Sequence, residues 1–301
     1  MTELSCTIFD KYQIRKSRKQ KTEFIELLSG YMPIKVQTGG MLKSRNLIIG
    51  DVEKADVVFT AHYDTCAVMP FPNFITPKNM VFYILYSVLI CVPVFVVMGI
   101  FNALLNIITA DFFAHYILSL AVFAVFFYLL MAGPANKHTA NDNTSGVITL
   151  CEIYSKLTEE QKQKVAIVFF DFEELGLIGS SLFKKEYKKA MEKKLLVNFD
   201  CVSDGDNILL AVSKSAQKEY MDKIDTAFAA EDKNIMVEKG EKVFYPSDQK
   251  HFKNNVAVAA LKHKKIIGYY MDRIHTPKDT VFYERNIELL SDGAVKFVDM
   301  V

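Results

Sequence analysis

The 301-residue sequence predicts an α/β fold: a mostly parallel central sheet with helices on both faces, interrupted by a pair of long apolar helices. Three observations lead there. Short β-branched apolar runs alternate with stretches of helical spacing, two long uncharged stretches break that alternation once, and polar residues able to do chemistry follow directly on the apolar runs. Alternation of this kind argues for a layered parallel sheet covered by helices.

The strand signals are Val57 to Ala61, Val165 to Phe170, Leu195 to Phe199 and Val256 to Leu261. Each is apolar nearly throughout, the pattern of a strand buried on both faces. Helical spacing runs from Gly146 to Leu157, Ser180 to Lys194 and Ser215 to Ala230, and no internal repeat stands out. A chain of this length can bury a substantial core as one large domain.

Between Asn79 and Ala110 there is no charged residue, and after the single Asp111 the uncharged pattern resumes from Phe112 to Gly133. These stretches of about thirty and about twenty residues compare with the ~20 apolar residues that cross a bilayer as a helix. Residues 79–133 are therefore predicted to form a transmembrane hairpin, with 1–78 and 134–301 making up one domain around it. Pro93 interrupts the first stretch, and Asn102 to Asp111 reads as the interfacial turn with His115 close by and without a catalytic role. Gly99 and Ala103 form a small-xxx-small pair of the kind that brings membrane helices together, which makes the hairpin a surface for a homo-oligomer.

Charged residues make up 24% of the chain and the net charge is +1, which gives no basic footprint for nucleic acid. The five cysteines, Cys6, Cys66, Cys91, Cys151 and Cys201, are odd in number and lack CxxC spacing, so a reducing compartment is expected. Met1 to Thr22 has no signal-peptide core, and its basic run of Lys11, Arg15, Lys16, Arg18, Lys19 and Lys21 reads as a solvated helix face. Lys78 and Lys137 flank the hairpin on the domain side, whereas the turn at Asp111 carries no lysine or arginine. The positive-inside rule then predicts a two-span cell-membrane protein with the domain of residues 1–78 and 134–301 in the cytoplasm.

Sites in open α/β sheets lie beyond the carboxyl ends of the strands. His62 and Asp64 follow the first run in AHYDT, Glu173 and Glu174 the second in FFDFEELG, and Asp200 the third in NFD. Asp142 in ANDNTSG opens the helix after the hairpin, and His275 stands in the late segment IHTPKDT. Carboxylates gathered at one edge repel by ~4 kcal/mol per pair at about 4 Å and an effective dielectric near 20. Such a cluster wants cations, and its mixture of imidazole and carboxylate suits zinc, with cobalt or manganese as substitutes.

The ordered motifs AHYDT, ANDNTSG, FEELG, NFD and HTPKDT resemble metallopeptidase family 28, the two-zinc aminopeptidases, from about Arg45 to the C-terminus. The resemblance implies that Asp142 bridges two zinc ions, one completed by Glu174 and His275 and the other by His62 and Asp200. It implies Glu173 as general base and Asp64 as the carboxylate that orients the His62 imidazole. The implied substrate is a peptide with a free amino terminus, trimmed one residue at a time at a bilayer surface.

One departure stands in FYPSDQK, where Gln249 replaces the histidine of a Ser-Asp-His run. Tyr245 is the candidate to stabilise the tetrahedral intermediate, with Tyr269 and Tyr270 as alternatives. His138 and His251 read as structural or surface residues, and Cys66 and Cys201 as packing beneath the site. Two other readings of the scaffold are a single-zinc glutaminyl cyclase-like acyltransferase and a non-catalytic membrane interaction protein.

Overall fold

The computed structural model describes residues 1–301. Nine strands form one sheet: β1 (Lys35–Gly39), β2 (Ser44–Ile49), β3 (Val57–His62), β4 (Val165–Phe170), β5 (Leu195–Phe199), β6 (Asn207–Val212), β7 (Asn234–Lys239), β8 (Asn255–Lys264) and β9 (Gly268–Tyr270). Strands β4, β3, β5 and β8 lie side by side and parallel, and they contain all four of the apolar runs that predicted strands. Antiparallel pairing flanks this centre, through β1 and β2 beyond β4 and through β6 and β9 against β8.

The helices are α1 (Glu3–Lys11), α2 (Arg18–Ser29), α3 (Met80–Asn106), α4 (Phe112–Ala132), α5 (Gly146–Lys156), α6 (Glu159–Lys164), α7 (Ile178–Glu186), α8 (Lys188–Met191), α9 (Gln217–Phe228) and α10 (Glu284–Val298). Alternate residues of the central strands face opposite layers, as the two-residue strand period requires. Val57, Phe59 and Ala61 of β3 join Val165, Ile167 and Phe169 of β4 in the larger core, with residues of α1, α5, α9 and α10. Val58, Ala166, Val168 and Phe170 face the other way, onto Phe183 of α7 and Met191 of α8. Burial on both faces is why these strands read as unbroken apolar runs.

The hairpin is observed as α3 and α4. At 1.5 Å per residue they are about 40 Å and about 32 Å long, against a hydrocarbon layer of ~30 Å. Both are long and apolar enough to cross a membrane, and 6% and 0% of their most apolar windows are buried within the protein. Asn79 caps α3 by accepting from the Phe82 N–H at 3.0 Å, and Asp111 caps α4 through the Phe113 N–H. The expected turn from Asn102 is shorter than predicted, because α3 continues to Asn106. Asn102 instead lies within the helix, where its side chain donates to Ser119 Oγ at 2.9 Å and meets His115 Nδ1 at 2.8 Å. A polar clamp across two apolar helices accounts for these residues. A Cβ on Gly99 would meet nothing within 4 Å, so the small-residue pair does not pack the two helices of one chain.

Two residues of the N-terminal basic run contradict a solvated face. Arg15 is fully buried, where its guanidinium donates to the Tyr63 and Tyr12 carbonyls and to Thr144 Oγ1. Lys21 is buried as well and pairs with Asp171. Helix α2 begins at a capping box, Ser17 with Gln20, which sets its register and turns Lys21 inward.

Candidate active site

Parallel strands end on the same edge, and that topology gathers the site. His62 is the last residue of β3, Glu173 and Glu174 lie just beyond β4, and Asp200 follows β5. The backbone after these strands bends sharply. Phe172 after β4 and Cys201 after β5 adopt positive φ, at 55° and 58°, as does His275 in the segment between β9 and α10, at 60°. Left-handed backbone at non-glycine residues costs of order 1–3 kcal/mol and persists where the surroundings enforce it.

Asp142 enters from the segment between α4 and α5. Its loop is held by three side chains. Asp279 accepts from the N–H groups of Asn141 and Asp142 at 2.8 and 3.0 Å, and Asn141 Oδ1 accepts from those of Ser203 and Asp204. Asn143 Oδ1 accepts from Gly146 and Cys201, while its amide donates to the Phe199 carbonyl at 3.1 Å. A Cβ at Gly146 would stand 2.3 Å from that carbonyl, so the start of α5 can lie against β5 only because the residue is glycine.

The result is a cluster centred on Asp142, in which His62, Asp142 and Asp200 are buried and Glu173, Glu174 and His275 are half-buried. One carboxylate oxygen faces His62 Nε2 at 3.3 Å, and the other faces His275 Nε2 at 3.0 Å. His62 Nε2 is also 3.5 Å from Asp200, and His275 Nε2 is 3.3 Å from Glu174. Two ligand-like groups therefore share Asp142: His62, Asp142 and Asp200 in one, and Asp142, Glu174, His275 and Cys66 in the other. All five residues picked from the sequence as metal ligands come together. Cys66 is the addition, a buried thiol next to the AHYDT motif whose reach to the second group has no sequence signal.

Asp64 lies 3.5 Å from His62 Nδ1, too long for a good hydrogen bond. Its firmer contacts are the backbone N–H groups of Glu173 and Glu174, at 3.0 and 3.2 Å. The carboxylate thus fixes the turn that presents both glutamates. Tyr245 lines the site and donates to the Asp200 carbonyl at 3.1 Å. Tyr269 and Tyr270 do not line it. Gln249, in place of the expected histidine, donates to the Tyr245 carbonyl at 2.7 Å and accepts from Asn198, so it steadies the tyrosine. His251 and His138 lie outside the cluster.

The electrostatics show what the cluster demands. Burial pushes the Glu173 carboxyl well above the usual range, and Glu174 and Asp200 add to it against His62. Burial likewise carries Glu174 up to about 8. For His275, burial alone would lower the pKa, but Glu174 and Asp142 outweigh it and bring it to about 9. Burial opposes ionisation of Asp142 too, yet the bonds from His275 and His62 hold it well below the ordinary carboxylate range. Carboxylates pushed up beside imidazoles pulled up mark a shortage of positive charge. The donors also fit a cation. The set is carboxylate and imidazole, and Glu174 Oε1 is buried without a hydrogen-bond partner.

An α/β sheet with imidazoles and carboxylates gathered at the carboxyl edge of its parallel strands is the arrangement of a protein able to hold metal ions there. Peptidase family M28 matches residues 121–293, more than half of the chain, and the chain belongs to that family. The family places it among zinc metallopeptidases, with glutaminyl cyclase-like chemistry on the same scaffold. The match begins inside α4, beyond His62 and Asp64. No curated protein matches the sequence. Among solved structures, Porphyromonas gingivalis glutaminyl cyclase is similar with a TM-score of 0.58 at 14% identity, over 99% of this chain and 97% of that one. Legionella pneumophila LapA aminopeptidase is similar with a TM-score of 0.51 at 14% identity, over 99% and 68%. At such identities the likeness is one of fold.

Proposed function

We propose that this protein is a two-zinc aminopeptidase that removes N-terminal residues from peptides at a membrane surface. The observation that carries the reading is the split of Asp142, one oxygen toward each histidine, with a separate carboxylate completing each side. His62, Asp142 and Asp200 would hold one ion, and Asp142, Glu174 and His275 the other. Bound zinc supplies a Lewis acid that polarises the scissile carbonyl and lowers the pKa of water. Glu173 takes the proton from the attacking water and hands it to the leaving amine. Burial raises its pKa, which suits a carboxylate that must both accept and return a proton. Tyr245 would turn its hydroxyl from the Asp200 carbonyl to the oxyanion that develops on the substrate's carbonyl oxygen, and Asp64 keeps Glu173 in place through the backbone.

Zinc content per chain tests the reading: about two supports it, one favours a cyclase-like acyltransferase, and none a non-catalytic scaffold. A second expectation follows from capture of the substrate amine in the site. Prolonged chelation should abolish hydrolysis of aminoacyl amides until zinc is restored, and N-acetylated peptides should be poor substrates. Efficient cleavage of acetylated peptides would rule out the amine-first mode.

The hairpin sets a topological expectation. His62 precedes it and Asp142 follows it, so both ends return to one side, and Lys78 and Lys137 favour the cytoplasm for that side. In a cysteine-free background, a reporter cysteine at Asp111 should react with an impermeant reagent in intact cells while one at Lys214 is protected. The reverse pattern would overturn this orientation.

A further inference from the structure

The catalytic pocket is small, about 170 Å³, and holds little more than the reacting groups. Beside it lies a cavity of about 540 Å³ that shares Asn73, Ile75, Glu174 and His275 with the catalytic pocket. Fourteen of the eighteen residues around this cavity are hydrophobic. The shared ligands lie at one end. The rest of the wall comes from both membrane-length helices, including Tyr83 and Phe95 of α3 and Phe123 and Met131 of α4.

The cavity walls are anchored to the domain. Phe74 packs on Tyr86 at 5.0 Å and on Tyr270 at 5.9 Å between ring centroids, and Tyr83 packs on Phe244 at 5.1 Å. Asn79 donates to the Ile267 carbonyl, and Lys78 pairs with Glu238. The far end opens toward the hairpin surface, since Phe95 is 65% exposed and Phe123 and Phe127 are each 46% exposed while lining it. From Tyr83 to Phe95 is about 18 Å along α3, at 1.5 Å per residue. An extended peptide covers that distance in about five residues.

We infer that this cavity is the substrate's apolar binding site, and that the enzyme acts on membrane-inserted peptides with a free amino terminus followed by about five apolar residues. The inference rests on the aminopeptidase reading and adds the substrate class. An amine held by the groups around Glu174 and His275 leaves the following residues to run along the cavity and down the hairpin. A polar peptide would lose water there and recover few hydrogen bonds, because apart from the two ligands the wall offers only Asn73, Ser87 and the hydroxyls of Tyr83 and Tyr86, the last already bonded to the Pro72 carbonyl. An apolar one moves from lipid to an apolar wall at little cost. Volume agrees with the 300–1,000 Å³ typical of ligand pockets.

The test uses the full chain in lipid nanodiscs, zinc-loaded, with two peptides that begin with alanine and continue with five leucines or five serines. Alanine 4-nitroanilide reports the chemistry without a chain. The leucine peptide should have a kcat/KM at least about tenfold above the serine peptide. Ile90→Trp and Ser87→Phe, which fill the cavity from α3, should each reduce that ratio several-fold. Leu89→Trp, on the outer face, should leave it unchanged. A photo-leucine at the fourth position should crosslink to α3 and α4, and excess leucine peptide should compete it away. A ratio near one, a ratio indifferent to both filling variants, or crosslinks that excess peptide does not reduce would overturn the inference, the last being the mark of a lipid-filled cavity. Specific crosslinking without hydrolysis of the anilide would instead overturn the aminopeptidase chemistry and keep the binding site.

Discussion

Glu173→Gln should retain zinc at the parent level and lose roughly 10²- to 10⁴-fold in turnover, the range for removal of a general base. The two adjacent glutamates differ in what surrounds them. Glu174 faces His275 at 3.3 Å and belongs to an Asp142-centred group. Glu173 forms a third such group with His62 and Glu174, one that leaves out Asp142. Its backbone N–H is pinned to Asp64, so the amide of a glutamine would occupy the same place with no carboxylate to accept a proton. Glu174→Gln removes a charged ligand and should lower zinc content as well as rate. Zinc measured per chain beside single-substrate kinetics separates the two. Near-normal turnover in Glu173→Gln would remove it from the base role, and loss of zinc there would make it a ligand.

The central strands were legible because burial on both faces leaves no polar residue to break the apolar run. Val165–Phe170 and Leu195–Phe199 are observed with the bounds the sequence implies. Strands β1 and β7 carry exposed and intermediate positions, and nothing in their composition separates them from loops. Three of the five ligand candidates, His62, Glu174 and Asp200, were legible for a topological reason: parallel strands end together, so polar residues after apolar runs meet; Asp142 and His275 were legible through the motifs ANDNTSG and HTPKDT.

What the sequence does not reveal is distant pairing. Asp279 lies in the HTPKDT motif, but its service to the Asp142 loop joins residues 137 and 138 positions apart. The cavity is assembled from the 69–75 segment, two helices and the site edge, four pieces that share no sequence pattern. Asn102 and His115 read as turn residues, since a polar residue near the end of an apolar stretch looks the same whether it caps the helix or bridges to its neighbour.

The basic N-terminus is the clearest case, and it leads to a large expected effect on stability. Lys21 and Asp171 pair with side chains 3% and 2% exposed, across 150 residues of sequence. The ammonium also lies 3.7 Å from the centre of the Phe172 ring. Asp171 accepts from the Arg45 N–H at 2.9 Å, so this carboxylate ties α2 and β2 to the strand end that presents Glu173. Burial raises the Asp171 pKa and Lys21 opposes that shift. Removing the lysine leaves a buried carboxylate without its counter-charge, which typically costs 3–5 kcal/mol. Lys21→Met should therefore lower unfolding stability by about 3–5 kcal/mol, read from denaturant midpoints in detergent. An Asp171→Leu change added to it should recover part of the loss, because the stranded charge is gone, but not all, because the Arg45 N–H then lacks its acceptor. A Lys21→Met protein as stable as the parent would show that the pair is solvated, and that the N-terminal helices do not brace the catalytic edge.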